Sequence, residues 1–363
     1  MATVIEVPHE YKNLSDKSAA NRCADLGSAA QVDKLRDRFA GCLIGQAIGD
    51  ALGFVVEGYP PELCSEYVSK VVRPRRFDGQ GRKGFYLGQY SDDTQLAREL
   101  AISLVESQGL DAGDYAQRIA VLFSEGRIVG RGRATEAAAR RLMEGVHWES
   151  AGEAAPSAGN GSAMRAAPIG LLFRDDPAGL VAAAADQGRI THQDPRCIAG
   201  AIAGAVAIAS SNDAIEVPRF CRQLALLVAA YDPLTAAGLL KLPVLSGLAP
   251  IEALAHIKQI VPLTDSNDDW RGISPFVTHS VLWSLYAFLR APTDYWAAIS
   301  TAIEIGGDVD TTAAMTGAIA GALIGLNSIP GNSELRIHDR ATWVREDLAR
   351  LACDLYAAFA DIR

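Results

Sequence analysis

Apolar residues recur at three- and four-residue spacing along most of this chain, the mark of helices that each bury one face. The pattern predicts helices over residues 35–52, 94–108, 116–123, 135–143, 177–185, 196–210, 217–230, 251–260, 278–289, 295–304, 311–326 and 345–360. Alternating, strand-like stretches are sparse. Tyr59-Pro60-Pro61, Gln80-Gly81-Arg82-Lys83-Gly84 and Ser157-Ala158-Gly159-Asn160-Gly161 punctuate the helices as loops. An all-α globule is expected.

Composition narrows this picture. With 363 residues, 49% of them hydrophobic and 21% charged, the chain is long enough for a large core. The apolar stretches at 198–210 and 313–326 are rich in Ala and Gly and too short or broken to span a bilayer, so they read as tightly packed buried helices. A net charge of −9 disfavours nucleic acid and acidic membrane as partners. Six cysteines without framework spacing, and no leader-like start, point to a reduced, cytoplasmic setting.

Two acidic clusters carry the chemistry. Ser91-Asp92-Asp93-Thr94 and Gly306-Gly307-Asp308-Val309-Asp310-Thr311-Thr312 are far apart, and each combines aspartates with hydroxyls. Adjacent aspartates also cap helices, and both clusters precede apolar helical stretches. Two such clusters together favour one site closed by the ends of a single domain. The double glycine lets the chain turn so that Asp308 and Asp310 face one point. All-oxygen ligands of this kind suit Mg²⁺ or Mn²⁺ rather than zinc, and so metal-positioned hydrolysis.

Three further segments offer functional groups. Gly41, Gly45, Gly49 and Gly53 form a smooth stripe on one helix, with Asp50 near its end, open to a structural or a functional role, and Glu57 just beyond. Glu57 follows Phe54-Val55-Val56, and such partial burial suits a carboxyl for acid–base work. Gly159-Asn160-Gly161-Ser162 can cradle phosphate through backbone N–H groups or be an ordinary loop. His192, in Thr191-His192-Gln193-Asp194-Pro195, can be a satisfied structural residue or bond a ribose hydroxyl.

In chain order, GCLIGQAIGDALG with its following glutamate, SDDT, GNGSAMR, THQDP and GGDVDTTAAMTGAIAGALIG resemble the ADP-ribosylglycohydrolase family, of the dinitrogenase-reductase-activating type, over roughly residues 36–330. The resemblance implies a compact helical fold with two Mg²⁺ or Mn²⁺ ions, cleaving ADP-ribose from modified protein side chains, arginine first. It implies Ser91, Asp92, Asp93, Asp308, Asp310 and Thr311 as metal ligands. Glu57, Asp92 and Asp310 become the catalytic set, Gly159, Asn160, Gly161 and Ser162 the phosphate loop, and His192 the ribose-side residue. Ser274-Pro275-Phe276-Val277 stands where many members carry Gly-Tyr, which removes a tyrosine hydroxyl. Residues 1–35 precede the domain at 36–363 as a tail or a partner-binding arm. Some relatives that give immunity to ADP-ribosyltransferase toxins plug the toxin's active site with such an extension, so a cognate transferase is a second expected partner.

Overall fold

The computed structural model describes residues 29–211, 215–261 and 270–362. Among them the chain forms sixteen α-helices and one two-stranded sheet. The first half holds α1 (Ala29–Phe54), α2 (Pro61–Tyr67, continued by a π turn at Val68–Val72), α3 (Asp92–Ser107), α4 (Ala112–Ser124), α5 (Arg133–Met143), α6 (Trp148–Ala151), α7 (Ala167–Leu172) and α8 (Pro177–Arg189). The second half holds α9 (Pro195–Ala209), α10 (Val217–Val228), α11 (Pro233–Leu245), α12 (Pro250–Ile260), α13 (Val277–Arg290), α14 (Tyr295–Glu304) and α15 (Val309–Ile324). An antiparallel pair, β1 (His338–Asp339) and β2 (Trp343–Val344), leads into α16 (Arg345–Ile362). The expected all-α class holds. Of the N-terminal extension, residues 1–28, with the strand-like stretch at 4–8, lie outside the described residues.

Four helices escaped the apolar pattern. α2, α6 and α7 run for 7, 4 and 6 residues, too few for a period to show. α11 has Pro243 inside it and apolar residues on every side, so no stripe stands out. Several starts share one device. Asp176, Asp194 and Asp232 each accept a first-turn N–H while a proline, which lacks one, occupies the first turn of α8, α9 and α11.

The glycine stripe organises the centre. A Cβ on Gly49 would lie 2.1 Å from the Ala313 carbonyl oxygen, and one on Gly321 would lie 1.9 Å from that of Gly41. α1 and α15 therefore touch backbone to backbone, which only glycine at these crossings permits. At the far end a Cβ on Gly53 would meet the Asp310 Cα at 2.4 Å, so the stripe delivers the end of α1 to the acidic start of α15. The stretches at 198–210 and 313–326 are buried helices, and among the described residues no helix is long and apolar enough to cross a membrane. Replacing Gly321 by alanine should separate the two helices and cost about 3 kcal/mol of stability. Urea unfolding checks this, and a midpoint equal to that of the parent chain would contradict it.

Candidate functional site

Helix α3 is capped by Ser91, whose hydroxyl accepts the Asp93 N–H at 3.4 Å, and also from outside its own sequence. Asp50, on α1, accepts the Ser91 N–H through Oδ1 at 2.9 Å. Its Oδ2 accepts the Thr94 N–H at 3.0 Å and the Thr94 hydroxyl at 2.6 Å. Asp50 is thus a buried positioning group, and Asp92 and Asp93 are left free to face the interior of the site. The Ser91 hydroxyl donates to Asp93 Oδ2 at 2.9 Å. At the start of α15, Asp308 occupies the capping position yet makes no side-chain cap. Its Oδ2 instead accepts from Asn160 Nδ2 at 2.6 Å, and the Thr311 hydroxyl lies 3.5 Å from its Oδ1 and 3.4 Å from Asp93 Oδ2. Capping does not explain these aspartates.

The double glycine places Asp308 beside Glu57. Gly306 and Gly307 have φ of 75° and 91°, and a Cβ on Gly307 would lie 2.0 Å from the Ile273 carbonyl oxygen. The chain threads here between two others. Gly307 N–H donates to Tyr59 O at 3.0 Å, Gly58 N–H to Gly307 O at 2.8 Å, and Asp308 N–H to Ile273 O at 2.9 Å. Carboxylate oxygens of Glu57, Asp308 and Asp310 come within 4.8 Å of one another as a result. Arg82 forms an ion pair with Glu57, donates to the Phe54 carbonyl at 3.3 Å and stacks its guanidinium 4.9 Å over the Phe54 ring.

This much negative charge is costly to bury. Burial first, then the neighbouring Asp50 and Glu57 charges, pushes Asp92 up to about 7. Burial and Glu57 push Asp308 up to about 7 as well. Asp93 and Asp310 are held well above the usual carboxylate range by burial and by the carboxylates around them. Burial also raises Asp50 to about 6, against the hydrogen bonds it accepts. Asp93 Oδ1 is buried with no hydrogen-bond partner. An acceptor with nothing to accept from, among hard carboxylate and hydroxyl oxygens, fits a divalent cation.

A cleft of about 590 Å³ opens above the acids, a volume that suits a nucleotide-sized ligand. Glu57, Asp92, Asp93, Asp308, Asp310 and Thr311 lie on its lining at one end, and Gly159, Asn160, Gly161 and His192 on another part of it. Asn160 joins the two sets, since it also donates to Ser280 Oγ at 3.0 Å. Ser91 and Ser162 are buried and do not line the cleft. The Ser162 hydroxyl donates to the Cys197 carbonyl at 2.9 Å. Sequence reasoning passed over Arg131, Arg133 and Trp270, which also line it together with Phe276 of the stretch Ser274–Val277. The two arginines bring positive charge, and the Trp270 and Phe276 rings an apolar wall.

A helical frame with carboxylates gathered on the floor of a nucleotide-sized cleft defines an enzyme with an acidic centre. The chain belongs to the ADP-ribosylglycohydrolase family, whose profile matches residues 31–362, and it is accordingly a hydrolase that removes ADP-ribose. It is 29% identical to the ADP-ribosylhydrolase ARH3 of Danio rerio, over 88% of this chain and 90% of that protein. It is also 29% identical to the ADP-ribosylarginine hydrolase Tri1 of Pseudomonas putida, over 81% and 72%. Among solved structures, an ADP-ribosylglycohydrolase-related protein complex superposes with a TM-score of 0.61 at 28% identity, covering 89% of this chain and 98% of that one.

Proposed function

We propose that this chain is a divalent-metal-dependent hydrolase that removes ADP-ribose from modified protein side chains, with arginine as the preferred attachment. The observation that carries the reading is the convergence of Glu57, Asp308 and Asp310, with the unpartnered Asp93 oxygen nearby, on the floor of the cleft. Asp92, Asp93, Asp308, Asp310, Ser91 and Thr311 would hold a pair of Mg²⁺ or Mn²⁺ ions. Such ions supply charge that orients ribose hydroxyls and stabilises developing negative charge.

The other steps belong to the chain's own groups. Glu57 is partly exposed, faces the acids and lines the cleft, so it is placed to take a proton from the incoming water. The water oxygen bonds to the anomeric carbon as the bond to the guanidino nitrogen breaks, and that nitrogen leaves with the electron pair and gains the proton that Glu57 took from the water. The turn at 159–162 offers N–H groups to the diphosphate. His192 meets the ribose side, and Arg131 and Arg133 face the remaining anionic or target groups.

Similarity to a protein named for arginine supports the linkage. Incubation with arginine-, serine- and glutamate-linked ADP-ribosyl substrates tests it. Arginine-linked substrate should release ADP-ribose fastest, and release from serine alone would refute the preference. A docking role for residues 1–35 against a transferase concerns a segment described only from residue 29.

A further inference from the structure

Arg165 and Thr191 take no part in the chemistry above, yet both are fully buried beside the cleft. Arg165 Nε donates to Gln187 Oε1 at 2.8 Å, and its Nη2 donates to Gln187 O and to Thr191 Oγ1, each at 2.8 Å. Its Nη1 has no hydrogen-bond partner. The guanidinium lies 5.5 Å over the Tyr115 ring. Thr191 Oγ1 is in turn 2.8 Å from His192 Nδ1.

Proton counting fixes the direction of this chain of bonds. A guanidinium has donors only, so toward Arg165 the Thr191 hydroxyl must accept. Among the described residues its other partner is His192 Nδ1. A second lone pair would let the oxygen accept from Nδ1–H instead, but the buried hydroxyl proton would then have no acceptor, so the arrangement that satisfies every group has the hydroxyl donate to Nδ1. In a neutral imidazole the ring proton then sits on Nε2. Burial first, and the Arg165 charge second, push His192 down to about 3, so the ring stays uncharged at neutral pH.

The Nε2 edge faces the loop that lines the cleft. A Cβ on Gly159 would lie 3.2 Å from Nε2, and one on Gly161 would lie 2.8 Å from Cε1, so the ring sits flush against both glycines. We infer that Arg165 and Thr191 form a relay that locks His192 as a neutral Nε2–H donor, aimed at an oxygen acceptor of the bound substrate. The inference rests on the cleft being the substrate site. It makes Arg165 and Thr191 positioning residues and excludes His192 as a general base.

The test uses the full chain with ¹⁵N-labelled histidine, whose six histidines are few enough to assign His192 by the signals lost in His192→Gln. In the parent protein Nε2 should carry the proton and Nδ1 should be bare, unchanged from about pH 6 to about pH 8. Thr191→Val should mix or reverse the tautomers, raise KM for an ADP-ribosyl substrate about tenfold and leave kcat within about twofold. Thr191→Ser keeps the hydroxyl and should restore both readouts. A protonated Nδ1 in the parent chain, or tautomers unmoved in Thr191→Val, would overturn the relay. Unchanged KM in both Thr191→Val and His192→Gln would overturn the donor role. Absence of ADP-ribose release by the parent chain would instead overturn the hydrolase reading, with the ring signals still judging the relay.

Discussion

Replacing Asp310 by asparagine should lower turnover on the order of a thousandfold without weakening the metal-free fold. Asp310 is buried and crowded by Glu57, Asp93 and Asp308, which together with burial hold its carboxyl well above the ordinary range. Asparagine keeps the oxygen that accepts the Thr311 N–H at 2.9 Å, so the first turn of α15 stays capped as before. One buried charge disappears, and with it a strong cation ligand. The melting temperature without metal should stay level or rise, while the rise produced by Mg²⁺ should shrink. A purely capping role predicts instead that activity and the response to Mg²⁺ are both retained, because asparagine caps as well as aspartate.

The second large effect is a pH dependence that metal removes. Burial and the neighbouring carboxylates push Asp92 and Asp308 up to about 7 in the folded chain, above the ordinary carboxylate value near 3.9 of an unfolded one. A raised folded value means that the native state binds protons more tightly than the unfolded state. The resulting stabilisation is full below about pH 4 and is lost as pH rises through about 7. Metal-free protein should therefore melt at progressively lower temperature between about pH 5 and about pH 8, as far as these groups decide it. A cation replaces the protons. At a hundredfold excess over its Kd, Mg²⁺ should add about 2.7 kcal/mol, most visibly at the alkaline end. Differential scanning calorimetry with EDTA and with Mg²⁺ at each pH measures both trends. Parallel curves that never diverge would count against the acidic cluster as a cation site.

Much of this was legible in the sequence, for local reasons. Helices long enough to show a period, such as α10 and α14, declared themselves, whereas α11 hid because it is apolar on every side. The glycine stripe at Gly41, Gly45, Gly49 and Gly53 announced a close approach, but not that Gly317 and Gly321 of α15 would meet it. The acidic clusters stood out by composition and by the double glycine. Asp50 and Asn160 were singled out as well, but not for aiming these acids, because each acts across the fold. Asp50 reaches Ser91 and Thr94 from 41 and 44 positions away, and Asn160 reaches Asp308 from 148. Arg82 carries no motif that would connect it to Glu57.

The central claim is that acids from two distant stretches of chain form one cation site that hydrolyses ADP-ribosyl bonds. Its most direct test is the rate of ADP-ribose release from an arginine-ADP-ribosylated protein, measured after exhaustive treatment with EDTA and again after Mg²⁺ or Mn²⁺ is restored. The account predicts loss of at least about a hundredfold and full recovery on adding either ion. Undiminished release in excess EDTA would contradict it.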